Sequence, residues 1–182
     1  LALLDENFKS VDSLNAGEKG WVYLDVTPFY ALSGGQTGDS GLLEGFAKAL
    51  DTRKFFGLNL SQVEVTKELK VGSVVDSHVD MSRGEITKHH SATHLLHATL
   101  YDVLGDHVSQ AGSQVEADKL RFDFSHPKAV SDAELAEIER RVNHEIMRAI
   151  PAKTQVLSIE DAKKSGAKAQ FGEKYGDEVR VV

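Results

Sequence analysis

The chain changes texture near residue 84, and that change constrains its fold more than any other feature. Before it, short apolar runs alternate with glycine, as in 20–26, 62–69 and 74–79. Gly34-Gly35, Gly38-Asp39, Gly57 and Gly72 punctuate these runs as turns. Several short strands with such punctuation predict a small barrel or sandwich. After residue 84 the apolar period becomes helical. Leu96, Leu100, Val103 and Leu104 share one face of a helix predicted over 87–104, with Gly105 as its cap. A second helix is predicted from Ser131. Glu134 closes a capping box, Leu135, Ile138, Val142, Ile146 and Ala149 form the apolar stripe, and Pro151 ends it. A third helix is predicted over 159–164, and strand-like segments over 120–124, 153–157 and 178–182.

The fold class read from this pattern is α+β. Residues 1–83 form a small β-barrel-like subdomain with a glycine-rich motif. Residues 84–182 form an antiparallel sheet packed with helices. With 182 residues, 41% of them hydrophobic and 27% charged, the chain can bury a core and is not disordered. No apolar run approaches a membrane span, and no signal peptide is visible. Without cysteine there is neither a disulfide nor a thiol nucleophile, and a cytoplasmic location fits. A net charge of -7 argues against coating nucleic acid broadly, but not against gripping the end of one. The chain starts at Leu1 and ends within the apolar run Val179, Arg180, Val181, Val182, so it reads as an excised fragment.

Six of the eight histidines lie between His78 and His107, most densely at His89, His90, His94 and His97. On a helix, His90 and His94 are one turn apart and point the same way. His97 and Tyr101 continue that face, roughly opposite Leu96 and Val103 at about 100° per residue. A structural core needs the oily face and has no use for the imidazole one. Two neutral imidazoles so spaced can hold zinc. The pair alone does not establish a metal, because eight histidines produce such a pair by chance often enough. A third ligand from His97, His107 or His126 is not selected by spacing. Ser91, Ala92 and Thr93 lie between the two histidines, so the glutamate base of a zinc protease is missing.

Residues 27–41 read TPFYALSGGQTGDSG, a compact loop rich in hydrogen-bonding groups. It lacks the Gly-Lys-Ser/Thr ending of a P-loop. On its chemistry alone it is a tight-turn loop before it is a binding loop. Gln110 follows the histidine helix in HVSQAGS, where it can orient water or substrate. In RFDFSH, polar residues alternate with aromatics as in a half-buried strand.

Four segments in this order, TPFYALSGGQTGDSG, HHSATHLLHATLYDVLGDHVSQAGSQV, RFDFSH and FGEKYGDEVRVV, resemble the editing domain of alanyl-tRNA synthetases and its free-standing relatives. The resemblance covers nearly the whole chain. Threonyl-tRNA synthetases carry a related histidine helix without the glycine-rich segment. The resemblance implies hydrolysis of seryl- or glycyl-tRNA(Ala), zinc as cofactor, and His90 and His94 as the first two zinc ligands. It implies the remaining ligands, a Cys and a His, in a segment downstream of the VRVV strand. Gln110 lines the editing pocket in that reading. Gly34, Gly35 and Gln36 contribute to the substrate cleft, and Gln110 and Thr93 are the candidate catalytic positions. The implied partners are the tRNA(Ala) acceptor end and the rest of the synthetase chain, with no membrane.

Three other readings compete with an editing segment of a synthetase. They are a free-standing deacylase, a non-catalytic tRNA-contacting module, and an α+β metalloprotein unrelated to tRNA.

Overall fold

A computed structural model of the chain describes residues 2–166 and 176–181. It is mixed α+β, with a large antiparallel sheet and three helices among the described residues. The chain divides into two compact units. The first comprises Leu1–His97 with Ala111–Phe124, and the second Ala98–Gln110 with Ser125–Val182.

In the first unit the strands are β1 (Ala2–Asp5), β2 (Ser10–Val11), β3 (Ser13–Leu14), β4 (Lys19–Tyr23), β5 (Gly41–Leu43), β6 (Ala47–Phe55), β7 (Leu58–Val65), β8 (Leu69–Lys70) and β9 (Ser77–Val79). Seven of them make one sheet in the order β2-β1-β4-β7-β6-β5-β9, and β3 pairs with β8 separately. Among the described residues nothing joins β2 to β9, so the sheet is open. The predicted barrel is not closed, and β3 and β8 form a short ladder of their own.

Register follows burial, since a slip of one residue would exchange the two faces. Leu3 stands opposite Val22, and Ala49 opposite Val63. These four lie in the core with Leu14, Leu43, Val65 and Leu69. Trp21, next to Val22 in β4, points to the other face. There it lies between the rings of Phe8 and Phe55, at 5.2 and 5.0 Å between centroids.

Helix α1 runs Arg83–Leu104. It starts four residues earlier than the apolar period suggested, and Gly105 follows it at φ +113°. Strands β10 (Gln110–Val115) and β11 (Leu120–Phe124) pair with each other. In the second unit, α2 covers Asp132–Met147 with Ser131 as N-cap, and the capping box with Glu134 is complete. The apolar stripe is only partly covered: Ile138 is buried, whereas Leu135 and Ile146 are about half exposed. Helix α3 (Ile159–Lys164) is capped by Ser158 and adjoins the antiparallel pair β12 (Gln155–Ser158) and β13 (Glu178–Val181). The expected helix-packed sheet of residues 84–182 is thus two separate two-stranded ladders among the described residues. Residues 171–175, which begin the FGEKYGDEVRVV segment, lie outside the described residues.

Candidate functional site

The glycine-rich segment runs from Thr27 to Gly41, and its glycines are needed where other backbone comes close. At Gly35, φ is +80°, and a Cβ there would lie 2.4 Å from the Ser113 carbonyl oxygen. At Gly38 a Cβ would meet the Thr52 carbonyl oxygen at 2.1 Å, and at Gly41 the His78 carbonyl oxygen at 2.0 Å. No side chain fits at such distances. Gly34 has φ +58° with open space around it. It serves the turn, in which Ser33 and Gln36 exchange backbone hydrogen bonds.

The segment is also stitched to β10. Val115 N–H donates to the Gly35 carbonyl at 2.8 Å, and Thr37 N–H donates to the Val115 carbonyl at 3.0 Å. A second tie runs through Asp39, whose side chain is fully buried. Asp39 Oδ2 accepts the Tyr30 backbone N–H at 2.7 Å and bonds Arg83 Nη1, in the first turn of α1. The Arg83 guanidinium also lies over the Tyr30 ring, 5.7 Å from its centroid. The Thr52 hydroxyl donates to the Asp39 carbonyl at 3.0 Å. Sequence reading missed the Asp39–Arg83 pair, since no local period links residues 44 positions apart.

This framework holds one side chain against the histidines. Gln36 is 4% exposed, and its Oε1 lies 2.6 Å from Nδ1 of His90. The His90 and His94 rings stack with centroids 5.2 Å apart and planes inclined by 19°, a proximity that the i, i+4 spacing allows. His90 is half-buried and His94 exposed. Burial first, and the neighbouring His94 second, push the His90 pKa below its usual 6.5. Both effects favour the neutral imidazole, the form that binds metals.

The other sequence-selected residues are placed differently. Thr93 is buried, and its hydroxyl donates to the His89 carbonyl at 2.9 Å, within its own helix. His89 engages the Glu116 carbonyl through Nδ1 at 2.8 Å. His97 lies against Phe122, 5.1 Å between ring centroids. His107 and His126 face each other in the second unit, Nε2 to Nδ1 at 2.9 Å with stacked rings. Gln110 opens β10 and is half-buried.

Among the described residues no group of three or more His, Cys, Asp or Glu side chains is arranged to hold a metal ion. His90 and His94 are of the residue type that ligates zinc, and two such side chains are fewer than a closed zinc site uses. They are two parallel imidazoles, one with its Nδ1 already engaged by an amide oxygen, as ligating histidines commonly are. Among the described residues no helix is long and apolar enough to cross a membrane.

The family model for class II (A) tRNA synthetases matches residues 1–83. The chain is 75% identical, over its whole length, to the alanine–tRNA ligase of Sulfurimonas denitrificans, of which it covers 21%. It is 58% identical to that of a Sulfurovum species and 54% identical to that of Wolinella succinogenes, again over the whole chain and covering 21% and 22% of those proteins. The chain thus spans about a fifth of the length of the curated relatives it matches. With identity this high from end to end, the chain belongs to the alanyl-tRNA synthetase family.

Proposed function

We propose that this chain is the editing segment of an alanine–tRNA ligase, and that it serves to hydrolyse seryl- or glycyl-tRNA(Ala) at the aminoacyl ester. The observation that carries this reading is the stacked His90–His94 pair with Gln36 behind it. No carboxylate lies between the two histidines, which sets the helix apart from that of a zinc protease.

Physical chemistry explains why such a segment is needed. A pocket that admits alanine cannot exclude glycine by size, and it rejects serine poorly. Discrimination of this kind amounts to about 1–3 kcal/mol, or roughly 10–200-fold. A second site that hydrogen-bonds the serine hydroxyl discriminates far better, because the alanyl ester leaves its polar groups unpaired. Gln110 has the donor and acceptor for that task.

In the reaction, water adds to the ester carbonyl and the bond to the ribose oxygen breaks. The ribose hydroxyl regains a proton and the free amino acid leaves. His90 and His94 would hold a zinc ion, completed by ligands from the longer chain. Zinc supplies a positive centre that can bind the substrate amino group or polarise water. Gln36 keeps the His90 ring in place, and Gln110 reads the side chain of the ester. Thr93, its hydroxyl engaged by the His89 carbonyl, supports the turn between the two histidines. Gly34 and Gly35 shape the backbone from which Gln36 projects. The partners in this reading are the tRNA acceptor end and the rest of the synthetase, in the cytoplasm.

The test is deacylation of seryl-tRNA(Ala) by this chain and by the longer natural chain that carries it, with alanyl-tRNA(Ala) as control. Release of serine by the longer chain, and its loss in His90→Ala, supports the reading. Tight binding of the acceptor end with no hydrolysis by either chain would replace it with a non-catalytic tRNA-contacting module.

A further inference from the structure

We propose that Gln36 is the positioning residue for His90. In this role it accepts the Nδ1–H of the ring and so presents the Nε2 lone pair for metal ligation. The inference rests on the metal reading above and assigns the glycine-rich loop a task within it.

Three observations converge on Gln36. First, its Oε1 lies 2.6 Å from His90 Nδ1, a hydrogen bond spanning 54 positions of sequence. An amide oxygen accepts, so with Oε1 facing the ring this arrangement places the proton on Nδ1. The neutral ring then has its lone pair on Nε2, since the hydrogen bond at one nitrogen fixes the state of the other. Second, Gln36 is buried to 4% exposure, where a polar side chain needs a partner. Third, its backbone is fixed on both sides, by the turn with Ser33 and by the parallel bridge to Val115. Gly35 lets the loop lie against Ser113 at a distance that excludes any Cβ.

A glutamine held this way cannot follow a moving ring; it imposes an orientation. His89 is fixed through its own Nδ1 by the Glu116 carbonyl, but it lies one residue off the His90–His94 face. Of the two candidate ligands, His90 is therefore the pre-oriented one, and the exposed His94 is the adaptable one.

The experiment has a tautomer arm and a metal arm, and neither depends on catalysis. In the tautomer arm, histidine ring nitrogens of the chain are labelled with 15N and read by long-range proton–nitrogen correlation at pH 8. The wild-type chain is compared with Gln36→Met, which keeps size and loses the acceptor, and Gln36→Glu, which can only accept. The expected result is His90 protonated at Nδ1 in the wild type and in Gln36→Glu, and displaced toward the Nε2–H form in Gln36→Met. In the metal arm, the zinc Kd of the longer natural chain is measured by chelator competition. Gln36→Met is expected to weaken zinc about 10–100-fold, as loss of an orienting partner does, with Gln36→Glu restoring most of the affinity. An Nε2–H ring in the wild type overturns the proposal. So does an unchanged zinc Kd in Gln36→Met where His90→Ala abolishes binding. Unchanged zinc binding in His90→Ala would instead remove the metal reading itself. Should Gln36→Met not fold, the wild-type and Gln36→Glu tautomers still decide the matter.

Discussion

Asp39 ties the glycine-rich loop to the first turn of α1, so cutting its carboxylate tests whether the loop is a clasp. Its side chain is 1% exposed, and Arg83 opposite is 33% exposed. In Asp39→Ala the part-buried Tyr30 N–H loses its acceptor, which costs about 1–3 kcal/mol. Arg83 is exposed enough to turn toward water, so its half of the pair adds about 1 kcal/mol at most. Against these losses, Oδ1 of Asp39 is buried without a hydrogen-bond partner among the described residues, and the variant relieves that burden. The losses together span about 1–4 kcal/mol, and relief of the unpartnered Oδ1 leaves a net destabilisation of about 1–3 kcal/mol. For a chain of this size that is a fall in Tm of roughly 2–12 °C. Trp21 is the only tryptophan and lies in the same unit, so its fluorescence during thermal and urea unfolding reports this unit directly. Asp39→Asn keeps the shape and an acceptor for Tyr30, and should lose about 1 kcal/mol. Adding Arg83→Met to Asp39→Ala should cost less than Arg83→Met alone, because its partner is already gone. If Asp39→Ala stays within about 0.5 kcal/mol of wild type, or matches Asp39→Asn, the clasp argument is wrong.

Other expectations follow from separate parts of the molecule. Gly34→Ala and Gly35→Ala both place alanine at positive φ, but only at Gly35 does the new Cβ strike backbone. The first should cost roughly 1–2 kcal/mol and the second about 1–3 kcal/mol more, read by urea titration of Trp21 fluorescence. In α2, bonds from the Ser131 hydroxyl and backbone hold Glu134 at a pKa of about 2, below its usual 4.5. A carboxylate with a depressed folded pKa stabilises above its unfolded value. The support of the cap should therefore be complete above about pH 4.5 and vanish as pH falls toward 2. Amide exchange at the start of α2 should show this window, and Glu134→Gln should abolish it. On the proposed editing reading, Gln110→Ala in the longer natural chain should lower kcat/KM for seryl-tRNA(Ala) roughly 10–100-fold, as loss of one polar contact does, and affect glycyl-tRNA(Ala) less. Equal losses on both substrates would remove Gln110 from side-chain recognition.

Elements whose pattern is local were legible in the sequence. Strand β11 and helix α3 have the bounds the sequence predicts, and α2 has the predicted N-cap and capping box. Strand β6, the longest, was not legible. Its buried positions are Ala47, Ala49 and Thr52, small residues that give no hydrophobic alternation. The register shift between Ala49 and Asp51 breaks the period as well. Strand β10 was also missed, because QAGSQV buries only Val115 fully. The barrel expectation counted strands correctly as short and numerous. No rule of local sequence says whether the first and last of them will pair.

The candidate site follows the same division. The i, i+4 spacing gave the His90–His94 pair, since a helix turns spacing into proximity. The glycine-rich loop is a turn in which most glycines have a neighbour-dependent task. Gly35, Gly38 and Gly41 are there so that the loop can lie against Ser113, Thr52 and His78. Asp39 and Arg83 fasten it to the helix, and Gln36 is delivered to His90. The orientation of His90 is therefore set by the sheet, through the loop, rather than by the helix that carries the ring. A helix alone leaves an imidazole free to rotate about two side-chain torsions. A buried amide fixed by backbone pairing on both sides removes that freedom, and it does so from a place in the sequence where no histidine motif would lead one to look.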